Sequence, residues 1–160
     1  MATHDAAIEW QQNEGDVFLK GRYSREHTWK FDGGIELLAS PSPVVVPVPF
    51  SNPSAVDPEE AFVASIASCH MLTFLYVASR NGYDILSYSD HAEGVMTKGA
   101  NGVPWVSLVT LRPEIVYHTE TIPDRVAEQK LHEDAHHQCF IANSVKTEIR
   151  VELPQSTGAG

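Results

Sequence analysis

The sequence predicts an α+β fold formed by one domain, residues 1–160. Strand-like patterns precede, separate and follow two helical patterns, and they do not alternate with helices as a doubly wound sheet requires. One helical segment is apolar nearly all round, which is typical of a helix buried on most faces. With 42% hydrophobic residues in 160, the chain is long enough to form a substantial core.

The charge balance disfavours two classes of partner. Lys and Arg number 11 against 21 Asp and Glu, which gives a net charge of −10. Such an acidic chain is poorly suited to bind nucleic acid or anionic lipid. No apolar run reaches the roughly 18 residues of a membrane span, and the N-terminus lacks the apolar segment of a secretion signal. We therefore expect a soluble, cytoplasmic protein with no nucleic-acid or membrane partner.

The first predicted element is a β-hairpin. Ile8 and Trp10 precede the turn-forming residues 13–16, and Val17 and Leu19 follow them. Apolar alternation on both sides of such a turn is the pattern of two paired strands.

A second turn, residues 31–35, precedes a predicted strand over 35–39. Residues 40–57 contain five prolines around the valines 44–46. Because proline cannot donate to a sheet ladder, we predict an extended loop there and not a central strand.

The clearest helical signal begins at Asp57. Asp57 is a suitable N-cap, Pro58 suits the first helical position, and Glu60 completes a capping box. The apolar segment then runs to residues 80–82, whose Arg-Asn-Gly sequence is a stop signal.

The rest of the chain predicts two strands, a helix and a strand. Residues 85–97 and 105–117 read as strands joined by a turn at 98–102. A helix with one apolar side is predicted from Pro123 to about His137. Residues 145–153 alternate between apolar and polar, which predicts a strand with one wet face.

The two cysteines lie at contrasting positions. Cys69 is in the middle of the first helix, and Cys139 follows the second helix. Inert packing is the usual fate of buried thiols. An inner thiol and a second thiol at a helix end also suit an attacking and a resolving cysteine. Because the helix N-terminus is about 15 Å from Cys69, lowering the pKa of this thiol would need a nearby cation.

The second helix contains an H-E-x-x-H motif. In His132-Glu133-x-x-His136 two imidazoles share a face, and the Glu could act as the base of a zinc-dependent hydrolase. A third ligand would have to come from downstream, where only Cys139 and the glutamates of a wet strand face follow. The alternative is a charged helix face in contact with solvent.

Two arginines, Arg22 and Arg25, lie in the N-terminal β-region. They are either part of a solvated edge or a source of the guanidinium that would stabilise a thiolate and polarise a substrate oxygen.

The segment 57–69, Asp-Pro-Glu-Glu-Ala-Phe-Val-Ala-Ser-Ile-Ala-Ser-Cys, resembles the signature of the OsmC/Ohr family, the osmotically inducible and organic hydroperoxide resistance proteins. Cys139 falls at the second cysteine of that family, and the resemblance covers residues 7–153. It implies antiparallel sheets around a long buried central helix in an intertwined homodimer.

The same resemblance implies a two-Cys hydroperoxide reductase without metal or other cofactor. Cys69 would attack an organic hydroperoxide, Cys139 would resolve the product as a disulfide, and an external dithiol reductant would reset the pair. The family's glutamate ten residues before the first cysteine is Glu59. Residues 41–57 contain no Arg or Lys, so the family's arginine is Arg25 or Arg22, with Arg25 preferred.

Helix geometry separates Glu59 from Cys69 by about 15 Å. We therefore expect either a bridging arginine or a site shared across the dimer. An apolar pocket near the thiols is also expected, and such a pocket would favour organic hydroperoxides. It is expected from the apolar residues close to the cysteines in sequence, which are Phe62, Ile66, Met71, Phe74 and Phe140. A non-catalytic dimer of the same fold that binds an apolar ligand is a further alternative.

Overall fold

The computed structural model describes residues 2–154 and confirms the α+β class. The chain forms two compact units that meet in sequence between Ala61 and Phe62. The first unit contains a sheet and the start of the long helix, and the second contains the rest of that helix, two further sheets and the second helix.

The N-terminal sheet has three antiparallel strands in the order β1-β2-β3. They span Ala6–Glu9, His27–Phe31 and Glu36–Ala39. The partner of Ile8 is Trp29, so the first strand pairs with residues much later than predicted.

The predicted hairpin over residues 8–19 is therefore wrong, although its turn forms. The amide of Asp16 donates to the carbonyl of Asn13 at 3.2 Å. Beyond the turn, Val17 makes one isolated bridge to Arg22, and Phe18–Lys20 is a short 3-10 turn. Leu19 is 96% exposed, so its apolar side chain supplies no burial that would hold a strand in place.

The second turn and the proline-rich loop form as predicted. The amide of Phe31 bonds the carbonyl of Ile35, and Gly34 has a φ of 82°, a left-handed conformation that glycine adopts without strain. The described residues 40–57 form no named strand, and only Val56 makes a bridge, to Ala39.

The long helix α1 spans Pro58–Arg80. Its capping box is formed: Asp57 accepts from the amide of Glu60 at 2.7 Å, and the carboxylate of Glu60 accepts from the amide of Asp57 at 3.2 Å. These two bonds satisfy amides that the helix itself leaves without partners.

The expectation that α1 is buried on most faces is wrong for the single chain. Only 28% of its most apolar 18-residue window is buried, and Leu72 and Tyr76 are 61% and 59% exposed. By length and composition α1 could span a membrane, with a mean hydropathy of 1.7. The core helix of a soluble protein can have the same length and composition, so this property does not by itself indicate a membrane span.

The two strands predicted after α1 form a hairpin that bends in the middle. Each divides in two: β4 (Ile85–Asp90) and β5 (Glu93–Lys98), then β6 (Pro104–Leu111) and β7 (Pro113–Tyr117). Strand β4 pairs with β7 and β5 pairs with β6, both antiparallel. The division creates two sheets, which periodicity alone did not predict.

Helix α2 spans Arg125–Gln138, and the last strand, β8, spans Glu148–Val151. The alternating burial predicted for residues 145–153 is observed. Strand β8 pairs with β6 in parallel, in the order β5-β6-β8.

Close packing holds α1 against both sheets of the second unit. A Cβ at Gly94 in β5 would lie 2.5 Å from Cγ2 of Val63, so glycine permits this approach. Two buried clusters flank the middle of α1, and their buried members are Ile66, Val109 and Leu111 in one and Phe74, Val77, Ala78, Leu131 and Ala135 in the other. The second cluster joins α1 to α2.

Candidate active site: two sulfurs in contact

The two cysteines, 70 residues apart in sequence, meet between α1 and α2. Cys69 lies midway along α1, and Cys139 is the C-cap of α2. Both are free thiols, and the S–H of Cys139 donates to Sγ of Cys69 at 2.8 Å. Since a disulfide bond is about 2.05 Å long, a small movement would bring the two sulfurs into bonding distance.

Two backbone amides converge on the sulfurs from the segment after α2. The amide of Ile141 donates to Sγ of Cys69 at 3.5 Å, and that of Ala142 donates to Sγ of Cys139 at 3.4 Å. The segment is fixed by a 3-10 turn at Ala142–Ser144 and by the side chain of Asn143, which donates to the carbonyl of Cys139 at 2.9 Å. Amide donors of this kind favour negative charge on sulfur.

The environments of the two thiols differ. Cys139 is 1% exposed, whereas Cys69 is half-buried. Burial, followed by the hydrogen bond to Cys69, raises the pKa of Cys139 to about 11. Cys139 therefore keeps its proton at neutral pH and can donate it to the neighbouring sulfur.

A second buried pair joins the same two helices. Nε2 of His70 in α1 lies 3.0 Å from Nδ1 of His132 in α2. The two rings are almost coplanar, with an interplanar angle of 5° and centroids 5.3 Å apart. The ring of Phe74 stacks on His132 at 4.2 Å.

Both imidazoles are neutral at physiological pH. Burial lowers the pKa of His70 to about 4, with His136 contributing, and that of His132 to about 3. The outer nitrogens, Nδ1 of His70 and Nε2 of His132, are buried without a hydrogen-bond partner among the described residues.

The H-E-x-x-H motif does not form a zinc site. His132 is 3% exposed and its Nδ1 is bonded to His70, while Glu133 accepts from Gln129 on the outside of the helix. Within residues 2–154 no three His, Cys, Asp or Glu side chains are grouped to hold a metal ion. One imidazole of the motif is thus part of the core, and we do not propose a zinc-dependent hydrolase.

The predicted arginine and glutamate belong to the N-terminal part of the chain. Arg25 is half-buried, donates to the carbonyls of Tyr23 and Gly21, and stacks on the ring of Tyr23 at 4.1 Å. Arg22 is exposed. Glu59 is half-buried in the first turn of α1. Within the described chain no carboxylate lies within ion-pair distance of Arg25.

The residues expected to line an apolar pocket are dispersed. Ile66 and Phe74 are completely buried in the two separate core clusters, so neither offers surface to a substrate. Phe62 and Met71 are half-buried, and Phe140, next to Cys139, is 83% exposed. The apolar lining near the thiols is therefore less extensive than predicted.

The histidine pair is the feature of the site that sequence reasoning missed. A usable signal was present, because His70 is the one titratable imidazole in the uncharged stretch 61–79 of α1. A polar ring on a buried face usually has a polar partner. The partner, His132, could not be identified without the packing of α2 against α1.

Comparison with known proteins identifies relatives of this fold. The family model described as OsmC-like protein matches residues 51–154. An OsmC-like protein of unknown function from Vibrio cholerae is 47% identical, with a TM-score of 0.92 over 96% of this chain and 100% of the other. No curated protein sequence matches the chain.

More distant structures share the fold. An organic hydroperoxide resistance protein OsmC from Legionella pneumophila is 18% identical, with a TM-score of 0.67, covering 96% of this chain and 97% of that one. The organic hydroperoxide resistance protein OhrB of Bacillus subtilis is also 18% identical, with a TM-score of 0.64 over 94% and 98% of the two chains.

Proposed function

The chain belongs to the family of OsmC-like proteins, and from that membership we propose that it is a two-Cys hydroperoxide reductase acting on organic hydroperoxides. The observation that carries the proposal is the 2.8 Å contact between the sulfurs of Cys69 and Cys139. The names of two structural relatives, which refer to organic hydroperoxide resistance, support the choice of substrate class.

The proposed reaction has three balanced steps. The thiolate of Cys69 attacks the outer oxygen of ROOH, the O–O bond breaks, and ROH leaves with one proton, so that Cys69 becomes a sulfenic acid. The thiol of Cys139 then displaces the sulfenic hydroxyl as water and forms the disulfide. An external dithiol reductant exchanges with this disulfide and restores both thiols.

The surroundings of the sulfurs support this division of roles. The amide of Ile141 and the S–H of Cys139 both donate to Sγ of Cys69, and both interactions favour the anion that attacks. The raised pKa of Cys139 keeps that thiol protonated until the sulfenic acid forms beside it. Cys139 then needs only a short movement to reach Cys69.

Arg25 is proposed to provide the cation for the thiolate and the developing alkoxide. Since Glu59 makes no ion pair with Arg25 within the described chain, we propose that it orients the guanidinium across the homodimer. The half-buried, stacked position of Arg25 and its lack of a carboxylate partner in the described chain support the choice over the exposed Arg22. The exposed side of α1, with Leu72 and Tyr76, supports the proposed homodimer. The reducing cytoplasm is the proposed location, since the dithiol reductant acts there.

Cysteine variants test the proposal. With dithiothreitol present we expect the wild type to consume cumene hydroperoxide with turnover, and without it to consume one equivalent and gain one intramolecular disulfide. Cys69→Ser loses consumption completely. Given one equivalent of hydroperoxide and no reductant, Cys139→Ser consumes it and gains one oxygen by intact mass, because no resolving thiol remains. Ser68→Ala, at an exposed neighbouring position, is the matched control and keeps full turnover.

The arginine assignment is tested in the same assay. Arg25→Gln should slow consumption at least about tenfold, the loss expected for a charged hydrogen bond to the reacting atoms, and Arg22→Gln should leave it unchanged. A wild type with both native thiols inert to cumene hydroperoxide would overturn the proposal and favour a non-catalytic dimer that binds an apolar ligand. An equal loss in both arginine variants would overturn only the assignment of Arg25.

A further inference from the structure

Two polar contacts join α1 to α2, and they come from adjacent residues of α1. Cys69 contacts Cys139. The next residue of α1, His70, is hydrogen-bonded to His132, which lies seven residues before Cys139 in the chain. The histidine contact is therefore next to Cys69 along α1 and about 10 Å from Cys139 along α2.

The histidine contact is directional. The ring planes differ by 5° and the nitrogens are 3.0 Å apart, so one N–H points at the lone pair of the other ring. Hydrogen bonds weaken steeply when the donor is misaligned. Rotating or sliding α2 on α1 would break this bond, whereas contacts between apolar side chains tolerate small shifts.

Cohesion between the helices does not require this bond. Phe74, Leu131 and Ala135 are buried around it in one apolar cluster. The histidine pair leaves Nδ1 of His70 and Nε2 of His132 buried and unpaired among the described residues, and an unpaired buried group costs stability. An apolar pair would hold the helices together at least as well. What the histidine bond adds is a defined orientation of α2 on α1.

We propose that His70 and His132 are positioning residues for disulfide formation: their bond holds α2 in the one orientation on α1 that brings Cys139 against Cys69. This inference rests on the proposed function, because it concerns the second step of that reaction. It assigns the histidines no contact with the hydroperoxide.

The sulfenic acid on Cys69 can react in two ways, and the orientation of α2 on α1 determines which reaction is faster. Attack by the thiol of Cys139 gives the disulfide and water. Attack by the sulfenate of Cys69 on a second hydroperoxide gives the sulfinic acid and ROH, which is irreversible for most proteins. Because the first reaction is intramolecular, its rate depends on the geometry of the pair, and a displacement of about 1 Å can cost up to about a hundredfold.

The test replaces both histidines by leucine. With excess cumene hydroperoxide, His70→Leu/His132→Leu should unfold at the same or a higher temperature than the wild type. Its ratio of disulfide to sulfinic acid, measured by mass spectrometry, should fall at least about tenfold. A purely structural role predicts that the melting temperature falls. If the double variant does not fold, His132→Leu alone removes the same bond.

A rescue variant and a control distinguish the effect of the directional hydrogen bond from the effect of apolar packing between the helices. His70→Gln/His132→Asn places amide nitrogens and oxygens where Nε2 and Nδ1 were, so it can keep the bond and should restore the ratio. Leu131→Ala removes apolar packing from the same cluster and should lower the melting temperature without changing the ratio. Equal ratios in the leucine double variant and the wild type, or an equal loss in Leu131→Ala, would overturn the inference.

A second readout needs no peroxidase activity. In glutathione redox buffer, the equilibrium between the dithiol and the disulfide gives the effective concentration of one thiol at the other. The leucine double variant should form the disulfide at least about tenfold less favourably than the wild type. If the wild type forms the disulfide in this buffer but not with hydroperoxide, the proposed function fails while the inference is still decided by the variants.

Discussion

The sulfur contact and the imidazole contact join the same two helices, but they differ in how their polar atoms are satisfied. At the sulfurs, the amides of Ile141 and Ala142 each donate to one thiol. At the imidazoles, one hydrogen bond is made and two ring nitrogens remain unpaired among the described residues. The amide donors at the sulfurs can stabilise a negative charge, whereas burial disfavours a charge on either imidazole.

This difference shows how a protein can place a reactive sulfur near a hydrogen bond that orients the two helices. Amide donors near a half-buried sulfur stabilise an anion that can react. Two buried imidazoles without ion partners stay neutral, since burial lowers the pKa of each. A neutral, directional bond can then orient the helices without changing the charge beside the reactive sulfur.

The largest expected effect is a difference between the alkylation rates of the two thiols. With a pKa of about 11, the thiolate fraction of Cys139 at pH 7.5 is on the order of 10²-fold below that of an ordinary thiol, and its side chain is 1% exposed. Iodoacetamide should therefore modify Cys69 first and Cys139 only at a rate limited by opening. Peptide mass spectrometry with time resolves the two sites, and equal rates would remove the asymmetry on which the roles rest.

The second expected effect is a loss of stability in acid caused by the imidazole contact. The folded pKa of each histidine lies below its unfolded value of about 6.5, so the unfolded chain binds more protons as the pH falls. Stability is therefore complete above about pH 6.5 and decreases toward the folded pKa values of about 4 and about 3. For His70 alone the loss is on the order of 3 kcal/mol.

Urea unfolding at pH 7 and pH 4.5 measures that loss. Carboxylates also titrate in this range, so the informative quantity is the difference from His70→Leu/His132→Leu. We expect the variant to lose less stability than the wild type over this interval. Identical losses would mean that the buried pair does not stay neutral in the folded state.

The smallest expected effect concerns the helix that carries one member of each contact. Asp124 caps α2 by accepting from the amide of Ala127 at 2.8 Å, and Asp124→Ala should cost about 1 kcal/mol. Asp134→Ala, which removes an exposed ion pair with Lys130 on the same helix, should cost less than about 0.5 kcal/mol. Calorimetry gives both values.

If the imidazole contact positions the sulfurs, neither aspartate variant should alter the ratio of disulfide to sulfinic acid. A change in that ratio in Asp124→Ala would show that fraying of the first turn of α2 reaches Cys139, so that the whole helix and not the imidazole contact positions this thiol.

Local features of the chain made much of the fold predictable. The cap residues Asp57 and Glu60 were sufficient to place the start of α1, since the bonds they make are within one turn. The alternation over residues 145–153 likewise predicted a one-faced strand. The hairpin over residues 8–19 failed because the partner of Ile8, Trp29, lies 21 residues along the chain, and a turn sequence does not specify which strand pairs across it.

By itself, the sequence determined the family signature around Cys69, the two helices, the proline-rich loop and the identity of the two candidate thiols. The tertiary structure alone decided that the sulfurs touch, that the amides of Ile141 and Ala142 point at them, and that His132 of an apparent zinc motif bonds His70. The physical reason is range. Helix caps and strand periodicity arise from neighbours in the chain, whereas the contact between α1 and α2 arises from burying apolar faces that lie some 60 residues apart.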